Sequence, residues 1–169
     1  MLRSLTSLSK AFIIVGVLGL AACSTPPVEN TVPELTGRVV DNAEVFSKNE
    51  KRNLTNLLEG VDRKHKAEFV VLTINSLPET ESLEEFSNKT FNTWKIGRKD
   101  TDSGLLFLLV KNDRKIRIEV GRGNEGTIPD MYAKKIIEEK MAPKFKQQKF
   151  YEGFRDAVRM AEAYVGEPH

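Results

Sequence analysis

The apolar positions of this chain repeat with two different periods, and the period changes from segment to segment. Leu54, Leu57, Leu58 and Val61 fall at i, i+3, i+4 and i+7 behind Ser47-Lys-Asn-Glu50, a capping-box pattern, so a helix begins there. Phe69-Val-Val-Leu-Thr-Ile74 shows no alternation, as expected of a strand covered by helices on both faces. Ser82-Leu-Glu-Glu85 repeats the capping box, and Leu83, Phe86, Thr90 and Trp94 line one side of a second helix. Leu105 to Val110 is again a two-face strand. Lys111-Asn-Asp-Arg114 turns it into a third, in which Ile116, Ile118 and Val120 alternate with Arg117 and Glu119, so its second face is polar. Ala133, Ile136, Ile137 and Met141 mark a third helix, and Tyr151, Phe154, Val158, Ala161 and Val165 a fourth.

The predicted order is α-β-α-β-β-α-α. A β-α-β unit followed by a hairpin, with helices before and after, gives an α/β fold: a three-layer α/β/α sandwich around a small mixed sheet. If Val110 faces Lys115 or Ile116 across the turn, counting back along the antiparallel ladder brings Asp102 alongside the loop Gly121 to Glu125.

Residues 1–22 have the pattern of a bacterial lipoprotein signal: Arg3 and Lys10, an apolar stretch from Ala11 to Leu20, then Leu20-Ala21-Ala22-Cys23. Cys23 is the only cysteine, so it is the expected lipidation site and no disulfide forms within the chain. Each buried methylene of the lipid contributes about 0.8 kcal/mol, which anchors the chain without a membrane span. Ser24 rather than Asp follows the cysteine, which in enteric-type bacteria directs a lipoprotein to the outer membrane, facing the periplasm. Residues 23–36, rich in Pro, Thr and Ser, read as a tether, and residues 37–166 as one domain.

Removing residues 1–22 takes away Arg3 and Lys10 from the 26 basic side chains, leaving 24 against 24 acidic ones. A nucleic-acid binder needs a basic surplus to replace phosphate counterions, so no nucleic acid is expected as a partner. Gly121-x-Gly123-x-x-Gly126 has the spacing of a dinucleotide fingerprint, but its strand returns from a hairpin, no strand pattern follows residue 130, and Glu125 would repel a pyrophosphate. The chain has no G-x-S-x-G elbow, phosphate loop or H-E-x-x-H. His65 and His169 read as solvated side chains.

Oxygen ligands remain. Hard cations such as Ca²⁺ and Mg²⁺ take carboxylate and carbonyl oxygens, and a loop with several glycines can turn both onto an ion. Asp102 and Glu125 are the first pair, and Asp130 begins the next helix, where an acid also serves the helix dipole. Asp41 precedes the first helix and also reads as a turn residue, while Asp113 lies at the closed end of the hairpin as turn chemistry.

These residues resemble the TPM domain family over about residues 35 to 165. The likeness rests on Gly37-Arg-Val-Val-Asp41-Asn-Ala43, Trp94 with Ile96-Gly97, Asp102 with Gly104 before an aliphatic strand, Asp113-Arg114, Arg117-Ile-Glu119-Val120-Gly121, Gly123, Glu125-Gly126 and Asp130. The resemblance implies a helix-sheet-helix sandwich, a membrane-associated setting and divalent-metal binding, and it adds Asp41 to the expected metal ligands. Some plant relatives are described as acid phosphatases. Asn124 departs from the family, standing where an apolar residue is usual, and so does the lack here of the C-terminal span and glycine-rich tail of many bacterial relatives. The N-terminal lipid is expected to serve instead.

Two functions follow as expectations. The first is a metal-binding interaction module that meets an envelope protein and supports assembly or maintenance of membrane proteins. The alternative is a metal-dependent acid phosphatase, in which Arg98, Arg114 or Arg122 would face the phosphate.

Overall fold

The computed structural model describes residues 31–97 and 101–166. Its sheet has the order β1-β2-β3-β4, with β1 (Val39–Asp41), β2 (Glu68–Ile74) and β3 (Gly104–Val110) parallel and β4 (Lys115–Val120) antiparallel to β3. Alternate residues of β2 and β3 enter two separate cores. Phe69, Val71, Leu105, Phe107 and Leu109 face α1 (Lys48–His65) and α5 (Phe150–Gly166), whereas Val70, Leu72, Leu106, Leu108 and Val110 face α2 (Leu83–Trp94). This is the expected three-layer sandwich. Both predicted capping boxes are present, with Ser47 and Glu50 exchanging bonds at 3.3 and 2.8 Å and Ser82 and Glu85 at 3.2 and 2.9 Å. Among the described residues no helix is long and apolar enough to cross a membrane.

One strand, β1, is absent from the predicted order. Its three residues are too few to show a period, yet Val39 is buried in one core and Val40 in the other. With β1 in place there are two parallel crossovers, and both step across the sheet in the same direction. Because α1 and α2 lie on opposite faces, the two crossovers have opposite hands, and one is left-handed where about 98% of such connections are right-handed.

The predicted third helix is α3 (Asp130–Ile136), a π-helical turn (Ile137–Met141) and α4 (Ala142–Phe145) in succession. Pro143 has no N–H to give, and its ring presses on the carbonyl four residues back, so the widened turn just before it relieves the ladder. The same turn brings Ile136 and Met141, five residues apart, into one core.

The folded unit also reaches back beyond residue 37. Val32 is buried against the α2 core, the Trp94 indole N–H donates to the Pro33 carbonyl at 2.8 Å, and the Thr31 hydroxyl donates to Glu81 at 2.7 Å. Lys89 donates to Thr31 and Glu81, both at 2.9 Å. Residues 31–33, whose composition reads as tether, are a strap seated on α2.

Candidate functional site at the open end of the hairpin

The hairpin register settles the meeting of its two open-end loops. Val110 pairs with Lys115 and Leu105 with Val120, so the ladder ends where the Gly121 N–H donates to the Gly104 carbonyl at 2.8 Å. One step further the Gly123 N–H donates to the Asp102 carbonyl at 3.2 Å, as the counting predicts. The glycines are required by contact. A Cβ on Gly121 would lie 2.3 Å from the Asp102 carbonyl oxygen and one on Gly123 only 1.8 Å from that of Thr101. Gly121 and Gly123 are thus accounted for by two backbones in direct contact, whereas a Cβ on Gly126 would meet nothing within 4 Å. Asp102 itself adopts a left-handed φ of 50°, which Asp tolerates better than most residues.

Beyond Gly121 the chain makes a 3₁₀ turn (Arg122–Asn124), which aims Arg122 and Glu125 outward while Asn124 turns in, only 5% exposed. The Asn124 carbonyl accepts from the Thr127 and Ile128 N–H groups at 3.1 and 2.7 Å, and its amide points to the Gly104 carbonyl at 3.5 Å. Where an apolar residue would only fill space, Asn124 ties the loop to the start of β3. Asp102, Glu125 and Asp130 are all exposed. Asp130 opens α3 after the N-cap Pro129, where the helix dipole favours an acid.

Asp41 is not at this end. The registers set it level with Thr73 and Leu109, at least five rungs from Gly104, or roughly 17 Å at about 3.3 Å per residue. Its carboxylate accepts the Val45 and Phe46 N–H groups at 3.1 and 3.0 Å and the hydroxyl of buried Thr73, which shapes the entry into α1. Asp113 shares that far end, accepting the Leu77 N–H at 3.4 Å. The four expected ligands therefore do not fit one metal centre. Among the described residues no three of the His, Cys, Asp and Glu side chains gather as a metal-binding group. The pair Asp102 and Glu125, on adjoining loops, keeps the oxygen chemistry a hard cation uses.

His65 is not a solvated side chain: 12% exposed, it lies 3.3 Å from Glu162 and against Gly166, joining the ends of α1 and α5. Cys23, Arg98 and His169 lie outside the described residues.

Over residues 39–164 the sequence matches the TPM domain family. Among solved structures, the N-terminal domain of a protein from P. gingivalis is similar at 30% identity and a TM-score of 0.71, with 79% of this chain and 88% of that one covered. The BA42 protein of the psychrophilic bacterium Bizionia argentinensis shares the fold at 16% identity and a TM-score of 0.62, over 71% of this chain and 81% of that one. So does the N-terminal domain of a Corynebacterium glutamicum protein, at 11% identity and a TM-score of 0.61, over 82% and 88%. No curated protein matches the chain.

Proposed function

The chain belongs to the TPM domain family, and from that premise we propose that it is an interaction module of the bacterial envelope. A lipid on Cys23 holds it at the outer membrane, and the loops carrying Asp102 and Glu125 meet an envelope protein whose assembly or maintenance they support. Ca²⁺ or Mg²⁺, where bound, is held by these two carboxylates and nearby carbonyl oxygens, with water completing the shell. The observation that carries this reading is the backbone junction of Gly121 and Gly123 with Thr101 and Asp102. It fixes two exposed acidic loops side by side in advance, and preorganisation of that kind lowers the ordering cost of binding.

Calorimetry with Ca²⁺ and Mg²⁺ tests the cation. Asp102→Asn and Glu125→Gln are each expected to weaken binding, and Asp41→Asn to leave it unchanged. Equal binding by all four proteins would remove the cation from the proposal. Crosslinking in intact envelopes tests the partner: an adduct formed through the open-end loops is expected to disappear when Asp102 and Glu125 are both neutralised.

Arg122, on the same loop as Glu125, keeps a phosphatase in view as the second reading. Hydrolysis of a generic phosphomonoester that depends on added divalent ion and is lost in Asp102→Asn, at a rate constant on the order of 1 per second or more, would favour it. Equal hydrolysis by wild type and Asp102→Asn would end it.

A further inference from the structure

A feature that the open-end loops leave unexplained is a cleft at the other end of the sheet. It lies between the hairpin tip and the corner joining α4 to α5 and has a volume of about 580 Å³. Clefts of roughly 300–1,000 Å³ with an apolar lining and a few convergent polar groups are the usual form of small-molecule sites. Ile116, Phe145 and Phe150 supply apolar wall, and Lys111, Arg114 and Lys146 supply the charge.

The walls are built by specific local features. Arg114 and Gln148 both take left-handed φ values, 54° and 60°, which fold the hairpin tip and the α4–α5 corner into opposing lips. At the base, Gly153 of α5 leaves room for the Phe145 ring: a Cβ there would sit 2.5 Å from a ring carbon. Phe145 and Phe150 stand with ring centroids 5.5 Å apart.

Among the described residues no carboxylate lines the cleft. Asp113 of the hairpin turn accepts the Leu77 N–H, and Asp156 is taken up by Lys144 and Arg155. Lys111 donates to the Ala43 carbonyl at 3.2 Å. Among the described residues Arg114 and Lys146 have no acidic partner, and both are exposed. Two free cations over an aromatic wall call for a ligand with an anionic group and an apolar body.

We propose that this cleft binds an organic anion, its phosphate, sulfonate or carboxylate held by Arg114 and Lys146 and its apolar body lying on Ile116, Phe145 and Phe150. The same chemistry is offered by a soluble aryl or acyl phosphate and by an anionic phospholipid. The site is independent of the open-end loops, so it stands or falls separately from them.

The test uses residues 23–169 with Cys23→Ser and two fluorescent probes of one ring framework, 8-anilinonaphthalene-1-sulfonate and the uncharged N-phenyl-1-naphthylamine. The sulfonate is expected to bind saturably and at least tenfold more tightly than the uncharged probe. Arg114→Gln with Lys146→Gln should weaken the sulfonate tenfold or more with an unchanged melting temperature, while Lys134→Gln, far from the cleft on α3, should not. Equal binding of the two probes, or a sulfonate affinity unmoved by the double change, overturns the proposal. Displacement of the sulfonate by 1-naphthyl phosphate alone identifies a soluble ligand. Displacement by phosphatidylglycerol vesicles but not phosphatidylcholine vesicles, lost in the double variant, identifies the lipid. Displacement by neither overturns the proposal.

Discussion

At the scale of single residues, this protein uses glycine and aspartate for contacts that the backbone demands. Gly123→Ala forces the Thr101 carbonyl away and is expected to cost about 1–3 kcal/mol, as overpacking does. Gly126→Ala, with nothing within 4 Å of the new methyl group, should change stability far less, and urea unfolding of the two variants checks the contrast. Asp41→Ala strips the Val45 and Phe46 N–H groups and the Thr73 hydroxyl of their acceptor, an expected loss of about 1–3 kcal/mol by the same measurement. The meeting of Asp102 with Gly123 was legible because a hairpin register follows from its own turn by counting. The place of Asp41 was not, since a parallel neighbour is chosen by packing across the whole sheet and leaves no mark in nearby residues.

Elements were legible in proportion to their length. Helices of 18 and 12 residues with capping boxes, and strands of seven, announce themselves, while the three residues of β1 do not. The strap at residues 31–33 escaped for another reason: a docked and an undocked Pro/Thr-rich segment have the same composition, and one valine is no period. Val32→Ala removes two buried methyl-sized groups and is expected to cost roughly 1.6 kcal/mol at about 0.8 each. The strap is also sensitive to acid. The hydrogen bond from Thr31, and then that from Lys89, holds the Glu81 carboxyl below the usual glutamate range. The docked state therefore gains from the ionised carboxylate above that range and loses this gain as pH falls through the lowered value. Trp94, the chain's single tryptophan, bonds to Pro33 and reports the event. Its emission is expected to shift to the red in a step below the usual glutamate range, and Glu81→Gln should abolish the step.

For the whole molecule, β3 joins two chemically different ends. It starts beside the loops that carry Asp102, Glu125, Asp130 and Arg122, and it ends at the hairpin tip, where Lys111 and Arg114 stand with Asp113 and where Lys146 lines the same cleft. The proposed anchor predicts that Cys23→Ser leaves the chain unprocessed or releases it from membranes, and fractionation of the two proteins decides.

The seated strap gives that anchor a direction. Thr31 is fastened to Glu81, just ahead of α2, at the end of the sheet where β2 finishes and the hairpin turns. From Cys23 to Thr31 there are eight residue steps, a leash of roughly 29 Å at full stretch. On the proposed anchor, the domain is suspended from the end that carries the cleft, and the loops of Asp102 and Glu125 become the far end, turned toward whatever approaches from the aqueous side. Fluorophores on Asp113→Cys and Glu125→Cys of the lipidated chain should accordingly be quenched unequally by a bilayer-embedded acceptor, the first more than the second. Unseating the strap with Glu81→Ala, Lys89→Ala and Val32→Asp together should let the molecule tumble on a longer leash and bring the two signals together.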